Sequence, residues 1–285
     1  MEHCANAALI LEGGGMRGIF TAGVLDYWME RGLWLGPVYA VSAGACHACS
    51  YIAGQKGRAL RVATDYLDDP HYCGVRSLLR TGDFFGAKFC YDDIPNRLDP
   101  MDYAAALRYP QPCYAVVTNC RTGRAEYFDV RDARGAIGAV QASASLPLLS
   151  RMVPIGSGRY LDGGVADSIP LQRSIDDGNR KHVLVLTQME GYRKGPNKMM
   201  PLIRARYRRW PNLVRAMEQR HVRYNETLAL VRRCEQAGTA FVVRPQQPCG
   251  IGRIEKDRAK LNALYKAGYE EAARRFADLQ AFLAE

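Results

Sequence analysis

The sequence predicts an α/β fold in three layers, with a mostly parallel central sheet between two layers of helices. Over residues 7–190, short apolar runs alternate with helix-like stretches, which is typical of βα units around a parallel sheet. The run at 181–188 is rich in β-branched residues and leucine, as expected of a strand buried on both faces. The chain has 285 residues, 48% hydrophobic and 24% charged. It is therefore long enough for a large core and too apolar for a disordered chain.

The elements follow from these patterns in chain order. Short apolar runs predict strands at Ala7–Leu11, Val38–Val41, Pro112–Asn119, Ala125–Phe128, Arg159–Leu161, Lys181–Gln188 and Ala240–Val243. Apolar stripes at helical spacing, or small residues suited to close packing, predict helices at Met16–Arg31, Ala43–Ala53, Ala133–Leu146 and Asp257–Leu283.

The composition changes at Tyr192. Between Arg193 and Arg233 there are 12 Lys or Arg residues and two acids. We expect a single domain, residues 1–285, in which residues 192–235 form a basic helical insertion or lid. Apolar contacts would come from Tyr207, Trp210, Leu213, Val214 and Met217.

The basic segment at 193–233 leaves its partner open. A solvated charged face is the default interpretation. An anionic membrane surface is the alternative, which Tyr207 and Trp210 would suit. The chain carries a net charge of +10, but it contains no recognised nucleic-acid module, and nucleic acid is not expected as a partner.

Location and cofactors are predicted from what the sequence does not contain. It has no signal-like segment and no apolar run long enough to span a bilayer. These two absences, together with nine scattered cysteines, favour a cytoplasmic location. A further expectation is peripheral contact at the inner membrane surface. Cys46, His47 and Cys49 lack a second ligand pair, and no carboxylate-rich calcium loop is present. We expect no metal and no cofactor.

A glycine-rich turn follows the first predicted strand and opens the first helix. It reads Glu12-Gly13-Gly14-Gly15-Met16-Arg17-Gly18. Glycines allow close approach to the backbone, and a helix N-terminus adds unpaired N–H groups, so the turn suits a phosphate or an oxyanion. Its spacing also fits the dinucleotide fingerprint, but the second strand ends without the acid that binds the ribose. No Lys-Ser/Thr pair of a P-loop follows.

Ser42 lies between the second predicted strand and a helix of small residues. The segment Ala40-Val41-Ser42-Ala43-Gly44 approaches the nucleophile elbow G-x-S-x-G, with Ala40 in place of the first glycine. Small neighbours are needed there because the serine sits on a sharp turn. A serine before a helix is also a common N-cap.

A serine nucleophile needs a base, and the five histidines offer none in a suitable position. Asp162 is the alternative, because Tyr160-Leu161-Asp162-Gly163-Gly164 brings an acid to the end of a short strand. A carboxylate is a weak base, so its site must raise its pKa or stabilise the alkoxide. An aspartate before glycines is also common in ordinary turns.

In combination, the glycine turn, Ser42 and the Asp162-Gly163-Gly164 motif resemble the patatin-like phospholipase family, over residues 7–190. The segment Ala142-Ser143-Ala144-Ser145-Leu146-Pro147 resembles the stretch that precedes the family's Asp motif. The C-terminal part resembles bacterial members. The resemblance implies a three-layer α/β/α fold and a Ser–Asp dyad that cleaves acyl esters of lipids. Ser42 would be the nucleophile and Asp162 its base.

The resemblance also implies an oxyanion hole made by the amides of Gly14, Gly15 and Met16. Arg17 would either hold the turn through a salt bridge, which we favour, or bind a substrate phosphate. The chain departs from the family pattern at two positions. The family has glycine in place of Ala40 and commonly aspartate in place of Glu12.

These residues predict a serine acyl hydrolase that acts on phospholipids or other lipid esters. A general carboxylesterase and an acyltransferase use the same groups and stay open. The alternative from another class is a protein that binds lipid or phosphate on the same scaffold without catalysis.

Overall fold

The computed structural model describes residues 6–132 and 135–285. Within them the strands belong to one sheet and are β1 (Ala8–Leu11), β2 (Val38–Val41), β3 (Cys113–Asn119), β4 (Ala125–Asp129), β5 (Val153–Ile155), β6 (Gly158–Asp162), β7 (His182–Val185) and β8 (Ala240–Val243). The order is β5-β6-β3-β2-β1-β7-β8, with β4 also paired to β3. Along this spatial order, the pairs β3–β2, β2–β1, β1–β7 and β7–β8 are parallel. Strands β4 and β6 pair antiparallel with β3, and β5 pairs antiparallel with β6. The sheet is therefore mostly parallel, as predicted.

Eleven α-helices lie within the described residues. They are α1 (Ile19–Glu30), α2 (Ala43–Ile52), α3 (Arg58–Thr64), α4 (Val75–Thr81), α5 (Tyr103–Leu107), α6 (Ile137–Ser143), α7 (Leu171–Asp176), α8 (Met200–Arg206), α9 (Pro211–Gln236), α10 (Arg258–Arg274) and α11 (Phe276–Ala284). Short 3₁₀ turns span Gly15–Gly18 and Gly163–Val165, and a π-helix spans Phe89–Leu98.

Helices cover both faces of the sheet. Leu9 and Leu11 of β1 belong to the hydrophobic cluster that includes residues of α1, α2 and α10. Ala8 and Ile10, which alternate with them, belong to a second cluster with residues of α7 and α9. Alternate strand residues point to opposite faces, so this division confirms the three-layer α/β/α arrangement.

The structure changes two helix predictions. The expected closing helix at Asp257–Leu283 is two helices, because the backbone leaves helical geometry at Arg275 (φ −96°, ψ 5°) between α10 and α11. The expected helix at Ala133–Leu146 is shorter, since α6 spans Ile137–Ser143; part of the predicted range, 133–134, lies outside the described residues.

The basic segment is helical, with α8 and most of α9 inside it. Tyr207, Leu213 and Met217 are buried in one hydrophobic cluster, with Trp210 and Val214 packed against it. The Tyr207 hydroxyl accepts a 2.9 Å hydrogen bond from the Leu148 amide. Tyr207 is therefore part of the core, which confirms its predicted apolar contacts, and its buried ring is not available to a membrane surface. Among the helices of the described residues, none has the length and apolar character needed to cross a membrane.

Helices α1 and α10 pack closely through two glycines. A Cβ placed on Gly23 would lie 2.1 Å from the Tyr265 carbonyl oxygen, and one on Gly268 would lie 2.0 Å from the Phe20 carbonyl oxygen. Real Cβ atoms do not approach a carbonyl this closely, so the contact requires glycine on both helices. It attaches α10 to the layer that also contains α2.

We therefore expect Gly268→Ala to lower the free energy of unfolding by about 1–3 kcal/mol, because α10 must move away from α1. Urea unfolding would measure the change. Gly195→Ala is the matched control, since a Cβ there meets no heavy atom within 4 Å. Equal stability of the two variants would contradict the close packing.

Candidate active site

The register of β3 brings Ser42 and Asp162 together. Strand β2 pairs with the first half of β3 and ends with Val41 opposite Val116. Strand β6 runs the other way and ends with Asp162 opposite Val117. Since β4 occupies one side of β3 along both stretches, β2 and β6 must share the other side. Their carboxyl ends therefore meet along one edge of β3.

Ser42 occupies a sharp turn between β2 and α2. Its φ of 56° lies in the left-handed region, which is strained for a residue with a side chain and recurs at functional sites. Its amide donates a 2.8 Å hydrogen bond to Ser143 Oγ. This geometry resembles the nucleophile elbow that the sequence predicted, and it forms with Ala40 buried on β2. The Ser42 side chain does not cap α2.

The side chains of Ser42 and Asp162 are in direct contact. Ser42 Oγ donates a 2.8 Å hydrogen bond to Asp162 Oδ2. The other carboxylate oxygen, Oδ1, accepts a 2.7 Å hydrogen bond from the Gly164 amide. The Asp162 amide donates to the Ser145 carbonyl at 2.9 Å. The end of α6 and the segment that follows it thus help to hold both members of the pair.

Burial raises the pKa of the Asp162 carboxyl above its ordinary value of 3.8, because a buried charge loses solvation. Arg220, the hydrogen bonds from Ser42 and the Gly164 amide, and Arg253 oppose this change. A raised pKa makes the Asp162 carboxylate a better proton acceptor.

The glycine turn lies against the end of β2 and the loop before α10. Gly15 has a φ of +59°, and a Cβ on it would lie 2.5 Å from the Arg253 carbonyl oxygen. The Met16 amide donates a 3.0 Å hydrogen bond to that carbonyl. Met16 is therefore not an available donor, which corrects the expected three-amide hole. Neither Gly14 nor Gly15 donates its amide to another residue of the described parts of the chain.

The other motif glycines are sites of close approach. An added Cβ would lie within about 3 Å of a neighbouring atom at each of them: Gly13 at 2.9 Å from Ser42 Cβ, Gly18 at 2.8 Å from Ala43 Cβ, Gly44 at 2.9 Å from the Leu11 carbonyl, Gly163 at 2.1 Å from the Val116 carbonyl and Gly164 at 3.0 Å from Asp162 Oδ1. Glycine allows the turn, α2 and the Asp162 loop to converge.

Glu12 connects the glycine turn to two distant elements. Its carboxylate is buried and accepts hydrogen bonds from the Thr187 amide at 2.6 Å and from the Tyr224 hydroxyl at 2.6 Å. Thr187 follows β7, and Tyr224 lies on α9. The residue that departs from the family pattern is therefore an anchor for the turn.

Within the described parts of the chain, Arg17 forms no salt bridge of the kind that the sequence suggested. Its Nε is buried and has no hydrogen-bond partner within the described chain. The Arg17 side chain lines a small polar cavity beside Ser42.

Within the described residues, no histidine is hydrogen-bonded to Ser42, and His3 lies outside them. His182 begins β7 opposite Ala8, at the amino ends of the parallel strands, as predicted. His47 lines an apolar cavity, and burial lowers its pKa to about 4.

An apolar cavity of about 160 Å³ adjoins Ser42. Its lining includes α2, α3, the π-helix at Phe89–Leu98, and the cluster Cys46, His47 and Cys49 considered above as metal ligands. The sequence did not predict α3 or the π-helix. The π-helix contains Pro95, and a proline predicts the end of a helix because it lacks an N–H group and clashes with the preceding turn.

The polar side of the site contains residues that the sequence did not assign to it. Thr187 and Tyr224 hold Glu12, while Lys194, Arg220 and Arg253 line the cavity beside Ser42. The basic composition of 193–233 indicated a charged surface, but it did not distinguish Lys194 and Arg220 from their exposed neighbours.

The fold and the Ser42–Asp162 pair define an α/β protein with a candidate site at the carboxyl ends of parallel strands. A family model described as patatin-like phospholipase matches residues 9–174, more than half of the chain. The chain therefore belongs to the patatin-like phospholipase family, a family of lipid acyl hydrolases. A second model, described as a domain of unknown function (DUF6363), matches residues 210–284.

Two proteins similar to this chain are the uncharacterized protein YjjU of Escherichia coli (strain K12) and VipD of Legionella pneumophila. The similarity to YjjU is 29% identity over 187 residues, 63% of this chain and 51% of YjjU. The chain thus spans about half the length of this relative. The crystal structure of VipD aligns with 14% identity and a TM-score of 0.47, covering 95% of this chain and 66% of VipD.

The anchor at Glu12 generates a prediction. Tyr224→Phe should lower the free energy of unfolding by about 2 kcal/mol, because a buried carboxylate loses a hydrogen bond. Chemical denaturation measures the loss.

Tyr192→Phe is its control. The Tyr192 ring packs on Tyr224, with centroids 5.9 Å apart, but its hydroxyl donates to no other described residue. If both variants lost the same stability, the Glu12 hydrogen bond would not be the cause.

Proposed function

We propose that this protein hydrolyses acyl esters of lipids with Ser42 as nucleophile and Asp162 as base. The observation that carries the proposal is the 2.8 Å hydrogen bond from Ser42 Oγ to Asp162 Oδ2 at a buried turn. A serine that donates directly to a carboxylate has an acceptor for the proton it must lose. Membership of a family of lipid acyl hydrolases supports this chemistry.

In the proposed mechanism, Ser42 Oγ attacks the ester carbonyl carbon while its proton moves to Asp162. The carbonyl oxygen gains the negative charge, and the amides of Gly14 and Gly15 would stabilise it. The C–O bond to the alcohol then breaks, and the alcohol leaves with the proton from Asp162. A water molecule gives its proton to Asp162 and attacks the acyl-serine, and the acid is released as Ser42 recovers its proton.

The apolar cavity supports a substrate with an acyl chain. Its lining includes Met16, Ile19, Val62 and Ile94, and it begins beside Ser42. An acyl chain inside it would place the ester at the cavity mouth, next to the glycine turn. We therefore propose lipid esters as substrates, ahead of small general esters.

We also propose that the chain is one acyl hydrolase domain in which residues 192–235 form a wall of the site. Tyr224 contacts Glu12, and Arg220 Nε donates to the Gly164 carbonyl. The cytoplasmic location and the peripheral contact with an anionic membrane through 193–233 stay predictions.

We expect Ser42→Ala and Asp162→Asn each to lower kcat for a p-nitrophenyl ester by at least about 10³-fold, because each removes a reacting group. Steady-state assays on folded variants measure this.

Asp167→Asn is the matched control for Asp162. Burial raises the pKa of Asp167 as well, but its partner is the Tyr127 hydroxyl, at 2.8 Å. If wild type and Ser42→Ala were equally active, the mechanism would be wrong. If the wild type bound lipid without turnover, the protein would be a binding protein on this scaffold.

The raised pKa of Asp162 generates a pH prediction. The base must be ionised, so kcat/KM should fall as the pH is lowered through a midpoint above 3.8. Arg253 lowers the pKa of Asp162, so Arg253→Gln should move this midpoint to higher pH. Circular dichroism at each pH would show that the fold is intact. A midpoint unchanged by Arg253→Gln would argue against Asp162 as the group that titrates.

A further inference from the structure

Four cationic side chains line one small polar cavity beside Ser42. They are Arg17, Lys194, Arg220 and Arg253, called here the cationic cluster. Within the described residues, no salt bridge joins any of them to a carboxylate.

The two carboxylates that line the same cavity already have partners. Glu12 accepts from Thr187 and Tyr224, and Asp162 accepts from Ser42 and the Gly164 amide. Three arginines and Lys194 therefore face two carboxylates, and the arginines alone leave the cavity with an excess of positive charge.

The cationic cluster has donor groups available for an anion. Arg17 Nε is buried without a hydrogen-bond partner. Lys194 Nζ lies 3.9 Å from the centroid of the Tyr224 ring. Burial, with repulsion from Arg220, lowers the pKa of Lys194 to about 7. An anion among these groups would relieve the repulsion.

The charge excess favours a phosphomonoester over a zwitterionic head group. A phosphomonoester carries nearly two negative charges and three terminal oxygens, which guanidinium and ammonium groups can bind together. A choline group would add a further cation. The cavity has a volume of about 20 Å³, enough for roughly one oxygen-sized group. The rest of the head group would extend toward the exposed Arg253 side chain.

Three members of the cluster lie outside the residues matched by the patatin-like model. Lys194 follows residue 174, and both Arg220 and Arg253 lie within residues 210–284, the range of the second family model. The C-terminal part of the chain thus supplies this polar side of the site.

We infer that the cationic cluster binds the phosphomonoester head group of the substrate, so that acyl esters of the phosphatidate type are preferred. The inference rests on the proposed function, because the head group would lie beside Ser42.

The test compares dihexanoyl phosphatidate, dihexanoyl phosphatidylcholine and p-nitrophenyl butyrate, the lipids below their micelle concentrations so that no surface is present. Wild type should show a higher kcat/KM for phosphatidate than for phosphatidylcholine. Lys194→Gln and Arg253→Gln should each lower the ratio of kcat/KM for phosphatidate to that for p-nitrophenyl butyrate by about tenfold. Arg215→Gln, an exposed arginine on α9, is the matched control and should keep the ratio.

Equal kcat/KM for the two lipids, or an unchanged ratio in both cluster variants, would overturn the inference while leaving Ser42 chemistry intact. Failure of the proposed function has a different signature, because Ser42→Ala would then keep the activity toward p-nitrophenyl butyrate.

Binding provides a second readout that needs no turnover. By calorimetry, Ser42→Ala should bind glycerol phosphate, and adding Lys194→Gln should weaken this binding about tenfold. Unaltered binding would overturn the inference. Binding of inorganic phosphate, measured in the same way, distinguishes a site for free phosphate from a site for the lipid head group. If inorganic phosphate bound through Lys194 while phosphatidate showed no advantage, the cluster would be a free-phosphate site, and the head-group assignment would be wrong.

Discussion

The site depends on one constraint, which is that β2 and β6 end against each other along the same edge of β3. Strand β2 runs parallel to β3 and β6 runs antiparallel to it, so their carboxyl ends meet opposite the adjacent residues Val116 and Val117 of β3. Ser42 and Asp162 follow directly from those two ends. The backbone after β6 approaches β3 so closely that position 163 requires glycine, because any Cβ there would overlap the Val116 carbonyl. The hydrogen bond between the two side chains is thus a product of sheet register.

The electrostatics of the site balance two opposing effects on Asp162. Burial disfavours the carboxylate, whereas Ser42, the Gly164 amide and the nearby arginines favour it. A carboxylate stabilised too strongly would be a poor proton acceptor, and one stabilised too weakly would be protonated before the reaction. Two members of the cationic cluster, Arg220 and Arg253, lower the pKa of Asp162, and in the proposed role the same cluster would also bind an anion.

The site combines two parts of the chain that differ in what they supply. Residues within the patatin-like match supply the serine, the aspartate, the glycine turn and much of the apolar cavity. Residues after it supply the tyrosine that holds Glu12, the carbonyl that engages the Met16 amide, and three cations. The close α1–α10 contact through Gly23 and Gly268 attaches the C-terminal part to this layer. The proposed catalytic pair and the proposed head-group site thus come from different segments of the chain.

The sequence by itself determined the layered α/β fold, the glycine turn, and the Ser42 and Asp162 motifs. These are local constraints: strand periodicity, a turn that only small residues permit, and an acid at a strand end are all visible within a few residues. Tertiary structure alone decided that the Met16 amide is engaged, that Tyr224 holds Glu12, and that Lys194, Arg220 and Arg253 face Ser42. Those contacts join residues more than a hundred positions apart, so packing sets them and no local pattern records them.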